Sequence, residues 1–68
     1  MMTETVFTDY KTAHTKAVNL ARFLKKEVGI EATKEFGKSV FVVHHLPKLE
    51  NRYGYELRME VVAPTDPL

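Results

Sequence analysis

Residues 9–28, DYKTAHTKAVNLARFLKKEV, decide the fold. Wound at about 100° per residue, Tyr10, Ala13, Ala17, Leu20, Ala21, Leu24 and Val28 fall within one third of the circumference. His14 sits at the edge of that stripe and Val18 at its flank. The spacing predicts one amphipathic helix over 9–28, with Asp9 as its N-cap and Thr8 as the neighbouring alternative, and with Gly29 closing it in the left-handed conformation. The small side chains Ala13, Ala17 and Ala21 let such a helix lie close on a sheet. Ala17 and Leu24 are therefore expected in the core, and Lys11, Arg22 and Lys26 in solvent.

Strand signals follow. In IEATKEF (30–36), Ile30, Ala32 and Phe36 alternate with Glu31, Thr33 and Glu35. SVFVVHHL (39–46) is rich in β-branched and aromatic residues, and Gly37-Lys38 reads as the tight turn between the two. Pro47 ends the second strand. In YGYELRMEVVA (53–63), Tyr53, Tyr55, Leu57, Met59, Val61 and Ala63 form an apolar face, opposite Gly54, Glu56, Arg58 and Glu60. That pattern predicts a strand with one buried and one wet face. Residues 4–8, ETVFT, are a short candidate strand, and PTDPL (64–68) a flexible tail. The order is (β)-α-β-β-β. It implies an α+β, two-layer sandwich in which one amphipathic helix packs on a mainly antiparallel sheet, as a single domain over 1–63.

Composition narrows the function classes. Sixty-eight residues make one small domain, and 44% apolar content is that of a globular chain. The absence of cysteine removes disulfides, thiolate zinc sites and a cysteine nucleophile, and favours a reducing, cytoplasmic setting. MMTETVF lacks the basic and apolar regions of a signal peptide, and no apolar run is long enough to span a bilayer. A thin core without covalent staples points to a homodimer, formed through the second sheet face or an edge strand, with 39–46 the leading candidate.

Catalytic signatures are weak. Ser39 lies beside a turn with no Gly-rich elbow behind it. The G-K-S string at 37–39 precedes a strand, whereas a phosphate-binding loop precedes a helix. His44 and His45 are adjacent in a strand, so they point to opposite faces and cannot share a ligand. No catalytic residue, metal or cofactor is therefore expected.

The net charge of +1 hides an asymmetry, with cations on the helix and most acids beyond it. The helix's outer face presents Lys11, Thr15, Asn19, Arg22 and Lys26, with Phe23 beside them. Phe23 is either a contact anchor or covered by the chain termini. These six residues form the candidate interaction surface of a non-enzymatic protein–protein interaction or regulatory module. The alternative is a nucleic-acid-binding module using the same basic face, although RNP aromatics, a GXXG loop, zinc-finger spacing and a second helix are all missing. An Ala-rich stripe followed by strands argues for core rather than for a helix lying on a membrane.

Overall fold

The computed structural model of the protein describes residues 5–68. Among these, β1 (Val6–Phe7), α1 (Tyr10–Leu24), β2 (Val28–Glu35), β3 (Lys38–His44) and β4 (Met59–Val62) follow in order. The four strands form one antiparallel sheet in the order β1-β3-β2-β4, with α1 packed on one face. Because β1 and β2 both run antiparallel to β3, they are parallel to each other, and α1 joins them as the crossover of a split β-α-β unit. The architecture is the α+β sandwich that the element order implies. Of the strand expected over 4–8, Val6–Phe7 forms, and Glu4 lies outside the described residues.

The helix begins as its sequence dictates. The Asp9 carboxylate accepts from the Thr12 N–H at 2.9 Å and the Thr12 hydroxyl at 2.8 Å. The hydroxyl first, and then the backbone N–H, hold the Asp9 carboxyl below its ordinary value. The end differs from expectation. Lys25 takes the left-handed conformation at φ 59°, and the Lys26 N–H reaches back to the Ala21 carbonyl at 3.2 Å. The helix thus ends at Leu24, five residues before Gly29. Val28 fits the helical stripe in sequence, yet it belongs to β2, opposite Val62. A β-branched side chain finds a fully buried seat there.

The core consists of Ala13, Ala17, Val18 and Ala21 from the helix against Val28, Ile30, Val43 and Val62 from the sheet. Phe7, Leu20, Leu24 and Phe41 close its margins and are only partly buried. Val18 therefore joins the core rather than its flank, and Leu24 lies at the rim.

Three expectations about the strands require correction. First, the hairpin pairs Glu35 with Lys38, so the two-residue turn is Phe36-Gly37, at φ 52° and 79°, and not Gly37-Lys38. Positive φ at both positions is what a type I′ turn demands. The one-residue shift removes Phe36 from the face of Ile30 and places it at the tip, 98% exposed.

Second, β3 is paired on both sides, with β1 and with β2, so 39–46 is not an edge strand. Third, only Met59–Val62 of the expected 53–63 strand is strand. Its faces are also reversed. Val62 and Glu60 share the helix side with Val28 and Ile30, while Met59 and Val61 lie outside. Adjacent Val61 and Val62 offer an apolar residue on either face, and the fully buried seat of Val62 beside Val28 decides between them. Glu60 is tolerated on the helix side because β4 is an edge strand. There Tyr10 donates its hydroxyl proton to the carboxylate, at 2.6 and 2.9 Å to the two oxygens.

The outer face of the sheet carries Val6, Val42, Glu31 and Met59 as one cross-strand row. Below it, His44, Gly29 and Val61 form the next. The chain leaving β3 crosses this face at Gly29. A Cβ built there would lie 2.9 Å from the Leu46 carbonyl oxygen and 3.1 Å from Met59 Cε. The C-terminal residues, expected to be loose, begin as a turn in which the Asp66 carboxylate accepts from the Ala63 N–H at 3.0 Å. Arg22 on the helix donates to the Pro64 and Asp66 carbonyls at 3.2 Å each.

Two outcomes follow. Gly29→Ala should cost about 1–3 kcal/mol in urea unfolding, because the contact at 2.9 Å is with backbone, which cannot rotate away. An unchanged unfolding midpoint would contradict the crossing. Hydrogen bonding to Glu60, with burial second, raises the Tyr10 phenol from 10.0 to about 12. A proton held more tightly in the folded state stabilises below the unfolded value and ceases to do so above the folded one. The stability gap between the native chain and Tyr10→Phe, under about 1 kcal/mol for so exposed a bond, should shrink as pH rises from about 10 to 12. A gap independent of pH across that range would contradict the bond.

Candidate functional site

Each of the six candidate surface residues is exposed. The structure does not hold them as one stripe. Lys11, Thr15 and Asn19 follow the helix's outer face. The Arg22 guanidinium is occupied by the two carbonyls of the C-terminal turn. Lys26 lies beyond the left-handed Lys25, where the helical period no longer applies. Phe23 is 81% exposed and is not covered by the C-terminal turn.

Asn19 and Phe23 do come together, in a groove of about 400 Å³ between α1 and the β1–β3 side of the sheet. The helix supplies Lys16, Asn19, Leu20 and Phe23, one above another at helical spacing. The sheet side supplies Thr5, Val43 and His45. Thr5 accepts the Val43 N–H at 2.8 Å, which extends β1 along the wall of the groove. Val43 is buried, Thr5, Lys16 and Leu20 are half-buried, and Asn19, Phe23 and His45 are exposed.

A second feature is the excursion between β3 and β4. The Leu57 N–H bonds to the Leu49 carbonyl at 2.8 Å and Glu50 bridges to Glu56, so 49–57 forms a small irregular hairpin. Asn51 organises its tip. Its side-chain oxygen accepts from the N–H groups of Tyr53 and Tyr55 at 2.9 and 3.1 Å. Its own N–H donates to the Tyr55 carbonyl at 2.8 Å, and its carbonyl accepts from the Gly54 N–H at 3.0 Å. Gly54 supplies the positive φ, 83°, that the bend needs. The tip displays Tyr53 and Tyr55, 74% and 71% exposed, with the Arg52 guanidinium 5.7 Å from the Tyr53 ring centre. Their expected place in the core is thus a further correction. Asn and Gly at 51 and 54 are turn signals that outweigh the alternation around them.

The two histidines do point to opposite faces. His44, on the outer face, lies 3.0 Å from a Glu31 carboxylate oxygen, and His45 reaches the groove on the helix side. Among the described residues no three metal-ligating side chains converge, and no helix is long and apolar enough to cross a membrane. Compared with known protein families, curated proteins and solved structures, the chain matches none.

Four hydrogen bonds to Asn51 tie the backbone of the tip together. Asn51→Ala removes two acceptor contacts, each worth a net of about 0.5–1.5 kcal/mol. Amide exchange at Tyr53 and Tyr55 should then accelerate roughly tenfold, while exchange in β2 and β3 stays unchanged. Equal exchange rates in the two proteins would show that Asn51 does not hold the tip.

Proposed function

We propose that this chain is a non-enzymatic protein-interaction module, acting in the cytoplasm, whose contact surface is built from exposed aromatic side chains. One observation carries the reading: four of the seven Phe and Tyr rings are outside. The core cluster holds only Ala, Val and Ile, whereas Phe23, Phe36, Tyr53 and Tyr55 are each more than 70% exposed. Aromatic and Arg side chains on pre-ordered backbone are the usual anchors of protein interfaces. Arg52, Tyr53 and Tyr55 meet that description best. They lose little conformational freedom on binding, because Asn51 already fixes the backbone beneath them. Phe36 supports the same reading. A bulky residue held at positive φ with no packing in its own chain incurs strain that a contact with a partner would justify.

The basic-helix alternative loses support from the engagement of Arg22, which leaves Lys11 as the cation on the helix's outer line. Self-association is retained in the proposal. The outer sheet face, with Val6 and Val61 exposed and Val42 and Met59 half-buried, replaces strand 39–46 as its surface.

The test uses the tagged full chain and the triple variant Arg52→Ser/Tyr53→Ser/Tyr55→Ser, cross-linked in extracts of the source cells. A protein recovered with the native chain should fall about tenfold or more with the variant, which should keep its fold by circular dichroism. A recovered set indifferent to the variant would overturn the reading. So would salt-sensitive retention on DNA at 150 mM salt that disappears on charge reversal at Lys11 and Lys26, which would promote the alternative, 150 mM being roughly physiological ionic strength.

A further inference from the structure

We infer that the groove between α1 and the β1–β3 edge is a binding site for a small amphipathic carboxylate with an aromatic or branched apolar body. The inference does not involve the hairpin tip.

Its first ground is shape. At about 400 Å³ the groove lies within the range of small-molecule sites. Among the described residues β1 spans Val6–Phe7, and α1 continues past that pair to Leu24.

Chemistry of the lining is the second ground. Leu20 and Val43 form an apolar bottom, and the Phe23 ring is free to cover a flat ligand, being 81% exposed with no aromatic neighbour among the described residues. Around this bottom stand Lys16, His45 and Asn19, all able to donate hydrogen bonds. No acidic side chain is present among the described residues of the lining. An apolar floor with a cationic, donor-rich rim complements a ligand that is apolar at one end and anionic at the other. A neutral apolar molecule would leave Lys16 and Asn19 without a use. A highly charged anion such as a polyphosphate would leave Leu20, Val43 and Phe23 without one.

Third, the groove gives a role to residues the fold does not need. Phe23 is outside the core, and Lys16, Asn19 and His45 make no side-chain hydrogen bond or ion pair among the described residues.

The probe is 1-naphthylacetate, titrated into the isotopically labelled full-length chain at pH 7 and followed by amide chemical shifts. Its neutral isostere, 1-naphthylacetamide, serves as control. The carboxylate should bind with a dissociation constant of about 1 mM or tighter, as expected for so small a ligand. The largest shifts should fall at Lys16, Asn19, Phe23, Val43 and His45, with the amide binding three- to tenfold more weakly, roughly the effect of losing one charge-assisted contact. Lys16→Gln, at a half-buried position outside the core, should bring the carboxylate down to the level of the amide and leave the amide unchanged. Phe23→Ser should weaken both. Equal binding of carboxylate and amide would overturn the inference. So would shifts centred elsewhere, or the absence of any shift up to about 5 mM, where a site of this affinity is mostly filled.

Discussion

Three alanines spaced four apart, Ala13, Ala17 and Ala21, bring the helix backbone close to the sheet, and the rest of the structure follows from that approach. All three are fully buried. With so little side chain between helix and sheet, the opposing positions must be filled by Val28, Ile30, Val43 and Val62, compact and β-branched. Larger side chains have no room in that layer. Phe7 and Phe41 are held at its margins, the latter edge-on to Tyr10 with ring centres 5.5 Å apart. The remaining large rings are displaced to turns and to the helix's outer flank. Thin packing and exposed aromatics are thus two consequences of one choice of residues.

A second close approach lies on the opposite face. The chain leaving β3 must pass β2 to reach the far edge of the sheet as β4. Gly29 admits the Leu46 carbonyl at a distance no side chain would allow. The crossing sets where the 49–57 hairpin departs and therefore where Tyr53 and Tyr55 stand. Among the described residues two regions are incompletely covered, the α1–β3 groove and the outer row of Val6, Val42 and Met59.

The helix was legible in the sequence because its stripe repeats over four turns and Asp9 stands where a cap is needed. Its end was not, since Lys25 adopts a conformation usually left to Gly, and Val28 satisfies a helical and a strand period alike. The turn was misplaced by one residue because Phe-Gly is an uncommon pair for a type I′ turn, and that single shift carried Phe36 from core to tip. Residues 53–58 alternate as a strand should. Hydrogen bonds from Asn51 to its near neighbours satisfy that backbone locally and outcompete the ladder. N-x-x-G at 51–54 was the available signal. Of the groove, Asn19 and Phe23 were identifiable as outward-facing helix positions. Lys16, Thr5 and His45 join them only through strand register and helix angle, which no local pattern encodes.

The central claim is that this protein folds on its alanine–valine layer and keeps its exposed rings for contact. The most direct measurement is the unfolding free energy of the full chain in which Phe23, Phe36, Tyr53 and Tyr55 are all replaced by Ser. The account predicts a change of no more than about 0.5 kcal/mol per site, the ordinary range for surface positions, with the same cooperative transition as the native chain. A loss of about 4 kcal/mol or more, or a chain that no longer folds, would show that the rings support the fold and would contradict it.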